Sequence, residues 1–374
     1  MADKLGIGVI GCGNISSAYF RLAPLFKGIE MRACADLNMD VAQAQADAFG
    51  LEAASVDDLL AKDNIDIVVN LTIPAAHREV SEKVLDAGKH VYSEKPFVLS
   101  AEEGAAIIAK ADAAGLRVGS APDTFMGASH QLARHLIDEG AIGAVTSGTA
   151  MVQSHGMESW HPNPDFFFLP GAGPVLDIGP YYISNLVQLI GPVASVQAVT
   201  ATPSATRTIG NGAREGEEIP VKTPTTIHAT LQFQSGAVIT MLTSWDVWSH
   251  SHGNMELYGE EGTLYLPDPN FFGGDVRMTS KGEDTGLPDW DHPFAVPNDG
   301  ENANYRAAGL SDMALAIQEG RAHRCSAQYA HHVVDVMTAI LEAGESGKRV
   351  QVQTSCDRPA PLDGAAARAL MSDG

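Results

Sequence analysis

A short glycine turn near the amino terminus constrains the fold more than any other stretch. The apolar run Leu5 to Ile10 leads directly into Gly11-Cys12-Gly13-Asn14-Ile15-Ser16, and a helical pattern follows. A buried strand, a tight glycine turn and a helix in this order open a dinucleotide-binding βαβ unit. Gly11 permits the turn, and Gly13 lets a pyrophosphate approach the backbone. The expected cofactor contacts in this turn are Gly11, Gly13, Asn14 and Ile15.

Two more buried strands end in polar residues that would reach the same edge of a parallel sheet. The strand Met31 to Ala35 stops at Asp36, at the spacing of the acid that bonds the ribose hydroxyls. A carboxylate there also repels a 2′-phosphate, which favours NAD over NADP. The alternative interpretation is that Asp36 caps the next helix, and both roles are compatible. The strand Asp66 to Leu71 leads into the loop Thr72 to His77.

That loop contains proline and is expected to line the cofactor through Thr72, Pro74 and His77. For His77 alone, a place in the core or at a helix start is an equally good interpretation.

The segment Glu94-Lys95-Pro96-Phe97 follows another buried strand. Ligands bind at the carboxyl edge of an open α/β sheet, so Lys95 would place an ammonium there. Pro96 fixes its own φ and favours an extended backbone at Lys95. A last strand leads to Pro122-Asp123-Thr124. The alternation of strands and helices predicts a doubly wound parallel sheet in a Rossmann domain over residues 1–124.

Residues 125–374 show a different pattern, with several strands that alternate apolar and polar residues and are joined by glycine turns. This pattern predicts an α+β domain with a large, open, mostly antiparallel sheet. Helices would cover one face of the sheet, and the other face could join copies of the chain into a dimer or tetramer. The tail after Pro359 is expected to lie on the surface.

A polar and aromatic loop follows the first strand of this domain, from Ser154 to Phe168. Aromatic rings beside hydroxyl-bonding side chains suit a polyol ligand, and the expected contacts are His155, Trp160 and His161. The alternative is that the aromatics pack on the sheet.

Asp177 and Tyr181 lie four residues apart, so they share a face if one helix starts near Leu176. A carboxylate and a phenol on one face could handle a proton. The alternative is a helix cap at Asp177 and a core residue at Tyr181.

Composition limits the possible partners. Lys plus Arg number 24 and Asp plus Glu 46, a net charge of −22 at pH 7, which argues against nucleic acid and anionic membranes as partners. No stretch resembles a signal peptide or a spanning helix, and the four cysteines form no C-x-x-C pair, so we expect a cytoplasmic protein. The pairs His250/His252 and His331/His332 lack companion ligands, so no metal is expected.

Taken together, Gly11-x-Gly13, Asp36, Glu94-Lys95-Pro96 and Asp177-Ile178-Gly179-Pro180-Tyr181 resemble the glucose-fructose oxidoreductase, inositol dehydrogenase and MocA (Gfo/Idh/MocA) family. The resemblance implies a nicotinamide-dependent oxidoreductase acting on sugars, cyclitols or their derivatives.

The resemblance also assigns roles to individual residues. It places Lys95 beside the nicotinamide and in contact with substrate, and it matches Asp177 to the family's aspartate. Most members carry a histidine where this chain has Tyr181, although some branches have tyrosine. Many members have an Asn-Arg pair near Asp123 and Thr124, so a carboxylate there suggests a neutral, hydroxyl-rich substrate. Further expected cofactor contacts are Glu94, Lys95 and Trp160. The expected substrate contacts, besides His155, Trp160, His161 and Lys95, are Asp123, Thr124, Asp177 and Tyr181.

The favoured hypothesis is hydride transfer from a carbinol carbon to NAD, with the hydroxyl proton passing to Tyr181 or Lys95 while Asp177 orients the polyol or the lysine. An NAD-requiring glycosidase of the same fold and a non-catalytic dinucleotide sensor are the alternatives.

Overall fold

The computed structural model describes residues 4–161 and 163–372, which form two compact units. The Rossmann unit runs from the amino terminus to Gln131 and includes Trp290–Val334 and the segment from Pro359 onward. The sheet unit consists of Leu132–Asp289 and Asp335–Arg358. The Rossmann unit therefore contains two later segments that a single boundary at residue 124 leaves out.

The Rossmann unit is built on six parallel strands in the order β3-β2-β1-β4-β5-β6. The strands are β1 (Leu5–Ile10), β2 (Ile29–Ala35), β3 (Glu52–Ala54), β4 (Ile67–Asn70), β5 (His90–Ser93) and β6 (Val118–Ser120). The order reverses beside β1, which creates the switch point where open α/β sheets bind ligands. The prediction of a doubly wound parallel sheet is confirmed.

Helices connect these strands, and their ends follow from local sequence. They are α1 (Ser16–Leu22), α2 (Met39–Phe49), α3 (Val56–Ala61), α4 (His77–Asp86) and α5 (Ala101–Ala114). The Ser100 hydroxyl caps α5 by accepting the Glu103 N–H at 3.3 Å, as the sequence predicts. Gly115 ends α5 with a left-handed φ of 66°, which glycine adopts without strain.

The sheet unit contains nine strands in one mixed sheet, in the order β16-β15-β14-β13-β7-β12-β11-β8-β17. Only β7 and β12 pair in parallel among these described neighbours. The strands are β7 (Val145–Gln153), β8 (Val193–Ala201), β11 (Thr226–Phe233), β12 (Val238–Ser244), β13 (Met255–Gly259), β14 (Gly262–Leu266), β15 (Arg277–Ser280), β16 (Glu283–Thr285) and β17 (Val350–Gln351), beside a separate pair, β9 (Thr206–Thr208) and β10 (Glu218–Pro220). The predicted mostly antiparallel sheet is confirmed.

The helices of this part of the chain are α6 (Ala128–Asp138), which starts in the Rossmann unit, α7 (Pro174–Asp177) and α8 (Gly179–Ile190). Helix α8 packs on the sheet, where the Tyr182 hydroxyl donates to the Met151 carbonyl at 3.4 Å. Val199 of β8 is 72% exposed. Exposed apolar side chains can mark a contact surface. Assembly of a dimer or tetramer through the open sheet stays a prediction.

Three later helices complete the fold: α9 (Ala308–Glu319), α10 (Ala327–Ser346) and α11 (Gly364–Leu370). The tail after Pro359 lies on the surface only in part, because Pro361, Asp363 and Arg368 are exposed but one face is buried. Leu362, Ala367 and Leu370 are at most 3% exposed, and the Lys27 N–H donates to the Leu370 carbonyl at 2.8 Å. The spacing of these apolar residues gives the tail one buried face. In a short, alanine-rich sequence this pattern is too weak to predict burial. Among the described residues, no helix combines the length and apolarity needed to cross a membrane.

Candidate active site

The turn after β1 has one closed side and one open side. Gly11 has a φ of +101°, and a Cβ there would lie 2.7 Å from the carbonyl carbon and oxygen of Leu71. Glycine is therefore required, because the neighbouring backbone leaves no room. A Cβ on Gly13 would meet nothing within 4 Å, and Asn14 is also exposed. The open side suits the close approach of a dinucleotide's phosphates, and the half-buried Ile15 borders it.

Asp36 is tied directly to this turn. Its Oδ2 accepts the N–H of Cys12 at 2.8 Å, and its Oδ1 accepts the N–H of Asn38 at 2.9 Å. The cap of α2 is the Asn38 side chain, which accepts the Asp40 N–H at 3.1 Å. The alternative interpretation of Asp36 as that cap is therefore wrong. Its half-buried carboxylate lies beside the turn, where a ribose hydroxyl could donate to it.

The loop after β4 lies against the same turn and is held by His77. The imidazole is 0% exposed, with Nδ1 2.7 Å from the Pro96 carbonyl and Nε2 2.9 Å from the Thr72 carbonyl. Burial lowers the pKa of His77, although these carbonyls act in the opposite direction. His77 thus joins two loops, as the first residue of α4. Thr72 and Pro74 are half-exposed and can reach a ligand, whereas a cofactor contact by His77 stays a prediction.

Lys95 leaves the carboxyl end of β5 at this same edge. Its N–H donates to Oε2 of Glu94 at 3.0 Å, and its side chain is half-buried. Glu94 is 8% exposed, and its Oε1 accepts the Tyr19 hydroxyl at 2.9 Å. The peptide bond from Lys95 to Pro96 is cis. One edge of the Rossmann sheet therefore carries four features: the turn Gly11 to Ser16 (the cofactor turn), Asp36, the loop that starts at Thr72, and Lys95.

Asp123 and Thr124 are more deeply buried than a substrate contact suggests, at 1% and 2% exposure. Oδ2 of Asp123 accepts the N–H groups of Ala307 at 3.1 Å and Gly309 at 3.0 Å, at the start of α9. Burial raises the pKa of Asp123 to about 6. These contacts are structural, and substrate binding by Asp123 and Thr124 stays a prediction.

In the sheet unit, Asp177 and Tyr181 lie on two helices. The expectation of one helix starting near Leu176 is wrong, because α7 ends at Asp177 and α8 begins at Gly179. Ile178 between them keeps a right-handed helical backbone, with φ −104° and ψ −26°. The four-residue spacing therefore still corresponds to about one turn. Asp177 is half-buried and Tyr181 is 6% exposed.

One end of the aromatic loop packs into a small core. Phe168 is 0% exposed and meets the Trp245 ring edge-on, with centroids 5.6 Å apart, beside Ile209 and Ile219. Phe168 therefore packs inside the sheet unit, beside β10 and the residue that follows β12, while packing of the loop's aromatics on the large sheet itself stays a prediction.

A buried ion pair holds the middle of the same loop. Glu158 is 4% exposed, and its Oε1 lies 3.1 Å from a nitrogen of Arg207 and 3.7 Å from Nδ1 of His155. Arg207 also binds Asp246. The His155 ring stacks on Trp248 with centroids 3.3 Å apart. Arg207 rigidly anchors the loop, since a buried carboxylate without a partner is costly.

Trp160 and His161 lie at the exposed part of the loop. Trp160 is 61% exposed, and its ring meets the His161 ring edge-on at 5.5 Å. Both rings can reach a ligand from solvent, so their substrate contacts, and the cofactor contact of Trp160, stay predictions. Among residues 4–161 and 163–372, no group of three His, Cys, Asp or Glu side chains could hold a metal.

The sequence did not point to Tyr19 or Arg207. Tyr19 lies on the apolar face of α1, so its ring was foreseeable, but the partner of its hydroxyl was not. Arg207 lies on the short strand β9, and the partners of its side chain are 38 to 49 residues away in sequence.

Two stretches of the chain match family models. Residues 5–121 match the oxidoreductase family with an NAD-binding Rossmann fold, and residues 130–265 match the GFO/IDH/MocA C-terminal domain. An uncharacterised oxidoreductase of Schizosaccharomyces pombe is 31% identical over 51% of this chain and 53% of its own length. The chain thus spans about half of that relative.

Two further relatives are named dehydrogenases. The levoglucosan dehydrogenase of Pseudarthrobacter phenanthrenivorans is 26% identical over 70% of this chain and 73% of its own. The D-xylose 1-dehydrogenase (NADP(+)) 2 of Haloferax volcanii is 26% identical over 92% of this chain and 99% of its own length.

Among solved structures, levoglucosan dehydrogenase with NADH and levoglucosan has a TM-score of 0.77 at 22% identity, covering 94% of this chain and all of that one. An NAD-binding oxidoreductase of Klebsiella pneumoniae has a TM-score of 0.80 at 22% identity, with 94% and 100% coverage. These structures share the fold.

Proposed function

Because the chain belongs to the GFO/IDH/MocA family of NAD-binding oxidoreductases, we propose that it is an NAD-dependent dehydrogenase of neutral sugars or related polyols. One observation carries this proposal. The glycine turn, the carboxylate of Asp36 and the amine-bearing Lys95 line one edge of the Rossmann sheet, and Glu94 holds the Lys95 backbone there. A dinucleotide needs the first two features for binding, whereas binding alone does not need the lysine.

The substrate class is supported by the names of the relatives and by the chemistry of the chain. Two relatives are named after levoglucosan and D-xylose, which are uncharged carbohydrates. The exposed Trp160 offers the kind of aromatic face on which sugar rings stack. The net charge of −22 disfavours an anionic substrate.

Asp36 supports NAD over NADP. Its carboxylate is fixed beside the cofactor turn, where it would accept ribose hydroxyls and repel a 2′-phosphate. One relative is named for NADP(+), and kcat/KM with each cofactor measures the preference of this chain.

A bound nicotinamide would supply the acceptor for the substrate's hydride, and the chain's own residues would handle the proton. A neutral Lys95 would accept the hydroxyl proton and, once protonated, would stabilise the negative charge left on that oxygen; alternatively, a deprotonated Tyr181 would accept the proton beside a Lys95 that is protonated throughout. Asp177 would orient the hydroxyls of the substrate. Tyr181, at 6% exposure, presents little surface to water, which suits a group that exchanges a proton with one bound partner.

The test is the appearance of reduced-nicotinamide absorbance with NAD or NADP across neutral monosaccharides, anhydrosugars, disaccharides and inositols. In Lys95→Ala the rate of NADH formation should fall by at least about a thousandfold, because the substitution removes both proton handling and charge stabilisation. Lys83→Ala is the matched control, since Lys83 forms an exposed pair with Glu79 on α4. Cleavage of a disaccharide without net NADH would favour the glycosidase. NADH binding without turnover on any sugar would favour the sensor.

A further inference from the structure

A buried chain of hydrogen bonds connects Tyr19 to the backbone of Lys95. The Tyr19 hydroxyl donates to Oε1 of Glu94 at 2.9 Å, and Oε2 of Glu94 accepts the N–H of Lys95 at 3.0 Å. Tyr19 is 0% exposed and Glu94 is 8% exposed. Each carboxylate oxygen thus has its own donor, and losing one would leave a poorly solvated charge unsatisfied.

The hydroxyl of Tyr19 can act only as the donor in this pair. Burial, with a further contribution from the charge of Glu94, raises the pKa of Tyr19 well above its ordinary value. The phenol therefore keeps its proton, and Glu94 is held in one orientation.

The other side of Lys95 is held as well. Nδ1 of His77 lies 2.7 Å from the carbonyl of Pro96, the residue that follows Lys95. The N–H of Lys95 and the carbonyl of Pro96 therefore each have a buried side-chain partner. With its backbone fixed on both sides, Lys95 has a restricted set of directions for its ammonium group.

The position of Tyr19 links this chain of bonds to the cofactor turn. Tyr19 lies on α1, which begins directly after the glycine turn. The bond to Glu94 therefore fixes Lys95 relative to the turn that would hold the cofactor phosphates. We propose that Tyr19, acting through Glu94, is a positioning residue for Lys95 that sets where the amine lies relative to the bound nicotinamide. This inference rests on the proposed function, because it assigns Lys95 a role in hydride transfer.

The variant Tyr19→Phe removes only the hydroxyl, and the chain offers a matched control. Tyr305 is 3% exposed in the same unit, and its hydroxyl donates to the Val296 carbonyl at 2.9 Å. Tyr305→Phe therefore also removes one buried donor, but one that is bonded to the Val296 carbonyl and not to Glu94. His77→Gln is the second variant, because it weakens the hold on the Pro96 carbonyl independently of Tyr19.

The first readout uses the protein without cofactor. Hydrogen exchange followed by mass spectrometry should show amides of the segment 91–99 exchanging at least about tenfold faster in Tyr19→Phe, and unchanged in Tyr305→Phe. The second readout is steady-state kinetics on the best sugar. We expect kcat to fall about ten- to a hundredfold in Tyr19→Phe and His77→Gln, while KM for the sugar changes less than about threefold.

Two outcomes overturn the inference. One is that Tyr19→Phe matches Tyr305→Phe in both readouts. The other is that exchange at 91–99 rises while kcat stays within about twofold of wild type, which would make the bond purely structural. A wild-type protein that oxidises no sugar contradicts the proposed function itself, and that result appears before any variant is made.

Discussion

Replacing Asp36 with asparagine should relax the preference for NAD over NADP. Two unit charges 4 Å apart interact by about 4 kcal/mol at an effective dielectric of 20, and salt screening at this half-exposed position reduces that to about 2 kcal/mol. We therefore expect wild-type kcat/KM to favour NAD by at least about 30-fold. Asparagine removes the charge that repels the 2′-phosphate, and the ratio should fall to within about threefold.

The structure also predicts a cost for this substitution. Asp36 accepts two N–H groups, from Cys12 at 2.8 Å and Asn38 at 2.9 Å. Asparagine has one acceptor oxygen, so one of these N–H groups loses its partner, at about 1 kcal/mol. Catalysis with NAD should consequently fall about fivefold, while catalysis with NADP rises.

The assay compares kcat/KM for both cofactors at low and at high ionic strength. Asp40→Asn is the matched control, because Asp40 is an exposed acid in the first turn of α2, four residues after Asp36. Raising the salt concentration should lower the wild-type ratio of kcat/KM for NAD to that for NADP, since screening weakens the repulsion between Asp36 and the 2′-phosphate at an exposed site. An unchanged ratio in Asp36→Asn, or equal use of the two cofactors by the wild type, would refute the assignment.

Three further predictions concern stability and binding in the Rossmann unit. Gly11→Ala should lower NADH affinity at least about tenfold in a fluorescence titration, because its Cβ would lie 2.7 Å from backbone atoms. Arg324→Met should cost about 3 kcal/mol in urea unfolding, because it strips a cation from Asp312, which is 0% exposed. The free energy of unfolding of Asp123→Asn, relative to that of the wild type, should rise by about 2 kcal/mol as the pH is raised from 4 to 7. The pKa of Asp123 is raised to about 6, so the native state holds its proton more tightly than the unfolded chain, and wild-type stability falls as pH rises through that range.

Each of these has an internal control. Gly50→Ala should leave NADH affinity within about twofold, because a Cβ there meets nothing within 4 Å. Arg321→Met should cost only about 1 kcal/mol, since Arg321 is 36% exposed against 12% for Arg324. A constant stability difference between Asp123→Asn and wild type at both pH values would contradict the raised pKa.

The sequence predicted the fold well where local rules decide it. Alternating strands and helices specified the Rossmann sheet, and Ser100 and Gly115 correctly marked the two ends of α5. The return of the tail to the Rossmann unit was not predictable in this way. Leu362 and Leu370 are buried by contacts far away in sequence, and no local pattern encodes them.

The candidate site shows the same division. The turn at Gly11 and the position of Lys95 at the sheet edge follow from strand ends, and both are where the sequence puts them. The partners of buried side chains do not follow. The hydroxyl of Tyr19 is 75 residues from Glu94 in sequence, and Asp123 proves to hold a helix start. Hydrogen bonds between distant residues depend on the packed fold, so local sequence patterns do not specify them.

The proposed reaction is net hydride transfer from a carbinol carbon to nicotinamide. Its most direct test is to supply the best sugar of the panel fully deuterated on carbon, with NAD, and to analyse the isolated cofactor by mass spectrometry. We predict one deuterium in each NADH formed, with one molecule of sugar oxidised for each. Consumption of the sugar with no deuterated NADH would contradict the claim.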